Sequence, residues 1–360
     1  MRRRRKTTSA RPLRDASELD RVRIAIVTDA WLPQVNGVVR TLQSTRAELK
    51  KMGHDVLVIS PDLFRSVPCP TYPEIRLAFA STGKVGEMLE AFSPQAVHLA
   101  TEGPVCLAAR RWCLQRDFPF TTAYHTQFPD YVAARTGVNP EWVWRYIKWF
   151  HGPAQAIMAA TPSIAETLRA HGLTKLRHWG RGVDLATFAG AAPDPAIRAL
   201  PGPVMLYVGR VAVEKNIEAF LTATHLGSKM VVGDGPALAG LKAKFPNVHF
   251  LGPKFGPDLA AAYAAADVFV FPSRTDTFGL VMIEALAAGT PVAAYPVTGP
   301  IDVLTPDVAG MADDLDTAIA EALTRDRAAC AAYGQSFTWA ASAGQFLQAL
   351  VPITEEAVAA

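Results

Sequence analysis

Leu206-Tyr207-Val208-Gly209-Arg210-Val211-Ala212-Val213-Glu214-Lys215-Asn216 decides the fold. An unbroken apolar run ends at a glycine, where the chain can turn and a ligand can approach the backbone. Arg210 stands at the strand end and Lys215 follows five residues later, close to the next helix start. Arginine presents a planar fork of donors and lysine a mobile point charge, a pairing that suits a diphosphate. A helix N-terminus beside them would add N–H donors and a positive dipole end. The other reading is two surface cations flanking a turn.

Outward from this stretch the same rhythm repeats. Apolar runs at 204–208, 230–232, 248–251, 268–271 and 292–295 are spaced like successive βα units. An earlier series runs through 23–28, 56–60, 97–99, 120–124 and 156–160, with an amphipathic stretch at 38–52. Apolar strands alternating with helices predict parallel sheets covered on both faces. Between the series lies Ala189-Gly190-Ala191-Ala192-Pro193-Asp194-Pro195, without apolar periodicity, which reads as a linker. The expectation is an α/β chain of two doubly wound, Rossmann-like domains with ligands in the crevice at the strand C-termini. The predicted boundaries are a disordered basic tail at 1–22, a first domain at 23–190, a second at 200–335, and a closing helix within 336–360 that crosses back to the first.

The second informative segment is Phe271-Pro272-Ser273-Arg274-Thr275-Asp276-Thr277-Phe278-Gly279-Leu280-Val281-Met282-Ile283-Glu284. A strand runs into a polar loop, a glycine and a helix, so the amides of Gly279, Leu280 and Val281 would face the crevice. Asp276 in the loop and Glu284 one turn into the helix bring two carboxylates towards one cavity, and carboxylates accept hydrogen bonds from sugar and ribose hydroxyls. Asp276 as a helix cap and Glu284 as a paired or solvated side chain are the plainer readings.

Together these segments resemble the retaining glycosyltransferases of family 4, which have the GT-B fold. Gly209-Arg210…Lys215 matches the family's Gly-Arg…Lys motif, and Asp276-x7-Glu284 its Glu-x7-Glu motif, with Asp for the first Glu. The resemblance runs from about residue 23 to 303. It implies that Arg210 and Lys215 hold the donor diphosphate, that Asp276 contacts the donor sugar, and that Glu284 binds the ribose. It also implies backbone contacts around Gly209, Phe278, Gly279, Leu280 and Val281. Gly233-Asp234-Gly235-Pro236 matches a family turn, which brings in Gly235, although a tight turn alone explains those glycines.

In the first domain, Asp29-Ala30-Trp31-Leu32-Pro33-Gln34-Val35-Asn36-Gly37 follows the first strand. Asn36 can cap the helix that starts near Gly37; by resemblance this loop faces the donor phosphate and the acceptor, with Asn-Gly where many members have two glycines. His125 follows the strand at 120–124; a lone histidine is commonly structural, but the resemblance puts it near the donor sugar, as a binding group and not a nucleophile. His98 is a weaker candidate. Glu141-Trp142-Val143-Trp144-Arg145-Tyr146-Ile147-Lys148-Trp149-Phe150-His151 is aromatic and basic at helical spacing. It reads as a helix packed on its own domain, or as a surface where tryptophan meets lipid head groups. His98-Leu99-Ala100-Thr101-Glu102-Gly103-Pro104 and Gly180-Arg181-Gly182-Val183-Asp184 look like members that glycosylate lipids, such as sulfoquinovosyl and glycosyl diacylglycerol synthases and related mannosyltransferases.

Composition narrows the class further. No apolar run reaches the roughly 18 residues of a membrane span, and the basic start Met1-Arg2-Arg3-Arg4-Arg5-Lys6 lacks the apolar region of a secretory signal. It reads as a solvated arm, or as a contact for anionic lipid. A net charge of +3 fits phosphate handling without requiring nucleic acid. Cys69, Cys106, Cys113 and Cys330 show no zinc spacing, which fits a reducing cytoplasm. Asp314-Leu315-Asp316 has the form of a metal-binding DxD but precedes a helical stretch and reads as a cap. The expected protein is a cofactor-free hexosyltransferase using a UDP- or GDP-sugar, with a membrane lipid such as diacylglycerol as acceptor, cytoplasmic or peripheral on the inner face of the membrane. A GT-B sugar-nucleotide epimerase and a non-catalytic sugar-nucleotide-binding protein are the alternatives.

Overall fold

A computed structural model of the chain describes residues 21–69, 72–127 and 139–351. Most of the basic tail lies outside the described residues, but Arg21 and Val22 are held against the first sheet. Arg21 forks onto Asp55 at 2.9 and 2.7 Å, and the Val22 amide donates to His54 Nδ1.

Two six-stranded sheets, every neighbouring pair parallel, form the two domains. The first contains β1 (Arg23–Val27), β2 (Asp55–Ile59), β5 (Ala96–Leu99), β6 (Phe120–Tyr124), β7 (Ala156–Ala159) and β8 (Leu176–His178), in the order β2-β1-β5-β6-β7-β8. Strands β3 (Ser66–Cys69) and β4 (Tyr72–Ala78) form a separate antiparallel pair. The second contains β9 (Val204–Val208), β10 (Ser228–Val232), β11 (His249–Gly252), β12 (Val268–Phe271), β13 (Val292–Ala294) and β14 (Ala309–Met311), in the order β11-β10-β9-β12-β13-β14. Strands β1, β5, β6, β7, β9 and β12 are buried almost throughout, which is why they read as continuous apolar runs and not as alternations.

In the first domain the strands are joined by α1 (Gly37–Lys51), α2 (Thr82–Phe92), α3 (Pro104–Gln115), α4 (Pro140–His151) and α5 (Pro162–Ala170). The short helices α6 (Leu185–Phe188) and α7 (Pro195–Arg198) bracket the linker. In the second domain come α8 (Ile217–Thr222), α9 (Leu238–Lys244), α10 (Gly256–Ala265), α11 (Leu280–Ala287), α12 (Pro300–Val303), α13 (Leu315–Ala322) and α14 (Arg327–Gln335). A last helix, α15 (Trp339–Ala349), returns to the first domain and packs on α1, β7 and β8. Its Phe346 is fully buried in one cluster with Ile24, Ile26, Leu42 and Trp179.

The chain crosses between domains twice, side by side. Val183 N donates to Phe337 O, and Val183 pairs with Thr338 as a short parallel bridge. Gly182 permits this approach: a Cβ there would sit 2.4 Å from Trp339 N. Trp179 Nε1 reaches Ser342 Oγ at 3.2 Å, and Gly180 N reaches Gln345 Oε1 at 2.8 Å.

Candidate active site

Strand order reverses between β1 and β5 in the first sheet and between β9 and β12 in the second. A doubly wound sheet receives its ligand at such a switch point. The two switch points here are not equivalent. In the first domain, Asp29 fills the position itself. Its carboxylate accepts from Val105 N (2.7 Å), Cys106 N (3.3 Å) and Thr101 Oγ1 (3.0 Å), capping α3. Burial pushes this carboxyl up and the two amides pull it back. Asn36 likewise caps α1, its Oδ1 accepting from Val38 N and Val39 N at 3.0 Å each. Both helix starts near the first crevice thus hold an acceptor from their own chain.

The second domain leaves its helix start uncovered. Helix α11 begins after Gly279, which has φ 83° and offers no side chain to cap the first turn. The amides at Leu280 and Val281 open that helix at the switch point, so an anion there would meet the positive dipole end. Gly279 fits where other residues would crowd, because a Cβ would lie 2.8 Å from Met282 Cε and 3.1 Å from Phe271 Cζ.

The basic residues stand on the neighbouring loop. Arg210 follows β9, and the Tyr207 hydroxyl donates to its carbonyl at 2.8 Å. Lys215 ends a single 3-10 turn (Val213–Lys215), and its Nζ lies 2.7 and 3.0 Å from the two carboxylate oxygens of Asp276. The loops after β9 and β12 are therefore tied across the switch point. Asn216, in the left-handed conformation, adds a bond from Nδ2 to Pro272 O. Ser273 Oγ and Thr275 Oγ1 on the β12 loop are buried without a protein partner.

Gly209 and Gly235 support this loop pair. A Cβ on Gly235, at φ 157°, would sit 2.3 Å from Val211 O, and one on Gly233 would overlap Gly209 O. The Gly235 amide donates to Asp234 Oδ1 at 2.7 Å. Its glycine is thus required by the packing of the β9 and β10 loops, and its own amide is engaged within the turn.

The first domain meets this site across the crevice. A Cβ built on Gly37 would lie 3.5 Å from Leu280 Cδ1. His125 O accepts from Thr277 Oγ1 at 2.8 Å, and Thr161 Oγ1 donates to Thr277 O. Asp302 on α12 accepts from both Ser163 N and Ser163 Oγ. Phe278, beside these contacts, is buried against Phe337. Glu284 is engaged on both oxygens, by Arg40 of α1 at 2.5 Å and by the Tyr263 hydroxyl at 3.2 Å. Burial pushes its carboxyl up, while Arg40 and Tyr263 pull it down.

The structure therefore brings Asn36, Gly37, His125, Gly209, Arg210, Lys215, Asp276, Phe278, Gly279, Leu280, Val281 and Glu284 to the facing ends of two sheets. Asp276 and Glu284 each hold a different cation. Neither is a helix cap. His98 is placed elsewhere: it lies within β5, bonded through Nδ1 to Thr121 Oγ1 and packed edge-on against Trp179 and Phe346, on the face that α15 covers. Asp314 caps α13 through Thr317 N, and Asp316 binds Thr224 and His225; both side chains of the DxD sequence are used in the fold.

Two groups at the site were not singled out from the sequence. Arg40 lies in the first turn of α1, where only tertiary structure reveals its partner. Arg181 sits in the quoted Gly180-Arg181-Gly182 run, and its flanking glycines were the available signal. It is buried, and its Nη2 lies 3.1 Å from His125 Nδ1.

This architecture is the GT-B fold. It aligns over 91% of the chain with 98% of the solved sucrose-phosphate synthase from Thermosynechococcus elongatus, with a TM-score of 0.72 at 22% identity. Residues 35–187 match Glycosyltransferase Family 4, and residues 202–325 match Glycosyl transferases group 1. A GDP-mannose-dependent alpha-mannosyltransferase of Mycobacterium tuberculosis is 31% identical over 81% of this chain and 83% of its own length. An alpha-monoglucosyldiacylglycerol synthase of Streptococcus pneumoniae is 28% identical over 76% of this chain and 71% of its own. The chain belongs to glycosyltransferase family 4, and it transfers a sugar from a nucleotide donor.

Proposed function

We propose that the chain transfers a hexose from a GDP- or UDP-sugar, with retention at the anomeric carbon, to a hydroxyl of a lipid acceptor. The observation that carries the donor half is the uncapped start of α11, set against Lys215 and Asp276 at the second switch point. The diphosphate would lie on that helix start with Arg210 and Lys215 beside it. Glu284 would take the ribose, and Asp276 and His125 the sugar. As the bond from C1 to the diphosphate breaks, charge grows on the leaving oxygen, and these cations and amides stabilise it. The acceptor oxygen bonds to C1 from the same face, and its proton passes to a leaving phosphate oxygen. Retention rests on the family resemblance. GDP-mannose is the first donor to try, because the mycobacterial relative is named for it.

The lipid half rests on α4. One face of it (Trp144, Ile147, Phe150) is buried in the first domain, while Trp142, Tyr146 and Trp149 line the other at i, i+4 and i+7 and are exposed. Arg145 lies over the Trp142 ring at 5.0 Å on the exposed face, whereas Arg110, over Trp149 at 4.1 Å, is buried and holds the carbonyls of Trp149 and Phe150. Aromatic rings beside guanidinium groups suit an interface of anionic head groups. No helix among the described residues is long and apolar enough to cross a membrane, so contact with lipid would be peripheral. The diacylglycerol named in the streptococcal relative supports the same acceptor class.

The test is turnover of UDP- and GDP-sugars with diacylglycerol, phosphatidylinositol, ceramide and simple sugars, reading free nucleoside diphosphate, product mass and anomeric configuration. Acceptor-dependent release with an α-linked product from an α-donor supports the reading. Release of an epimerised donor without acceptor would favour an epimerase. Vesicle sedimentation of a Trp142→Ala, Trp149→Ala double variant tests the interface: binding equal to the parent's removes α4 from it.

A further inference from the structure

Among the described residues, Arg181 is a buried guanidinium with no carboxylate in its hydrogen-bond set. Its Nη1 donates to Trp179 O at 2.6 Å and Gly180 O at 3.0 Å, and its Cζ lies 4.7 Å from the centre of the Trp179 ring. These contacts fix the fork, and α15 fixes the loop that carries it through Ser342 and Gln345. The remaining arm points to His125 Nδ1 at 3.1 Å. The other ring nitrogen of His125, Nε2, is buried and has no protein partner.

We infer that Arg181 is a positioning residue: its Nη2 proton commits His125 to the neutral tautomer that carries its hydrogen on Nε2. A guanidinium has five donors and no acceptor, so the Nδ1 facing it must accept. A neutral imidazole with a lone pair on Nδ1 has its proton on Nε2. The ring then presents one fixed donor where the donor sugar is placed, and it does not serve as a base. Trp179, edge-on at 5.4 Å, holds the ring plane. Every influence on His125 disfavours its imidazolium: burial first, then its neighbours Arg181, His98 and His151. Burial draws the Arg181 guanidinium down to about 9, which leaves it charged at neutral pH. A serine or asparagine in place of Arg181 would satisfy Nδ1 in either tautomer; only a group without an acceptor removes the choice.

The assignment of the Nε2 proton to a sugar hydroxyl rests on the proposed transfer reaction, but the tautomer does not, and the experiment separates them. Long-range 1H–15N spectra of histidine-labelled protein, with His125 identified by its loss in His125→Gln, report the protonated nitrogen without substrate. The expected spectrum is the neutral Nε2–H form from pH 5.5 to 8. In Arg181→Met both tautomers should appear, with the ring still held neutral by its burial. In the transfer assay Arg181→Met should lower kcat at least tenfold with donor KM within threefold. Arg181→Lys, still cationic and without an acceptor, should recover most of the loss. In a His125→Gln background, where no tautomer exists, Arg181→Met should cost less than threefold more. An Nδ1–H or imidazolium form in the parent at pH 7 overturns the inference even if no Arg181 variant folds. An unchanged tautomer in Arg181→Met with fully additive losses overturns it too. An Nε2–H spectrum in a protein that turns over no donor would leave the tautomer assignment standing and count against the reaction.

Discussion

Lys215 and Asp276 pair with each other across the switch point, so each substitution there has two consequences. In the proposed reaction Lys215→Ala removes a cation from the leaving group, and the loss in kcat should be about 10²–10³-fold. The variant should remain folded, since the pair is partly exposed at the crevice rather than in either core. Activity within a few-fold of the parent would remove Lys215 from the diphosphate. Glu284 and Arg40 make the complementary case. Burial raises the Glu284 carboxyl and Arg40 restrains it, so Arg40→Met should raise it further. If the carboxylate accepts the ribose hydroxyls, the acid limb of donor binding should move to higher pH in Arg40→Met, as read by titration calorimetry across pH 4.5–7.5. A limb that stays in place would dissociate Glu284 from the nucleotide. The stability sign follows from the same shift. A carboxyl raised on folding favours the folded chain most below the ordinary glutamate range near pH 4.3, and that contribution is lost as pH rises through the folded value.

Among elements, α11 is both the proposed anion seat and a packing partner. Helix α14 lies directly on it: a Cβ at Gly334 would sit 2.2 Å from Ala287 N and 2.5 Å from Leu286 C. Backbone atoms cannot swing aside, so Gly334→Ala should destabilise by about 1–3 kcal/mol or more, measured as a lower melting temperature. An unchanged melting temperature would mean the helices do not approach so closely. What the sequence showed of such elements follows from burial. Strands β1, β9 and β12 are enclosed on both faces and announced themselves as apolar runs. The Asn36 cap of α1, the Asp314 cap of α13 and the glycine start of α11 were legible because each depends on one residue type at one position. The β3–β4 pair was not legible: Pro68 and Pro73 interrupt it, and a short antiparallel pair outside both sheets has no long apolar run. Arg40 and Arg181 escaped for a different reason. Their significance lies in partners 244 and 56 residues away (284 − 40 and 181 − 125), and local pattern does not encode that.

For the whole molecule, the two domains are tied at the crevice by Arg40–Glu284, Ser163–Asp302 and Thr277–His125, and behind it by the paired crossings at 183 and 337–338. A chain ending at residue 335 would lack α15 and bare the face of the first sheet around Ile24, Leu42 and Trp179. Phe346 alone, fully buried, contributes on the order of 2 kcal/mol. The shortened chain should therefore bind hydrophobic dyes and aggregate. Solubility equal to the parent's would show that α15 is dispensable.

The returning helix also sets an order of events during synthesis. Domains commonly fold as they emerge, the N-terminal one first. Here the second sheet and its helices, β9 to α14, are complete in sequence before α15 exists, while the first sheet, begun at β1, waits for residues 339–349 to cover it. Until then His98, Trp179 and the loop bearing Arg181 lack their covering helix. The half of the molecule that is translated first is the half that is finished last.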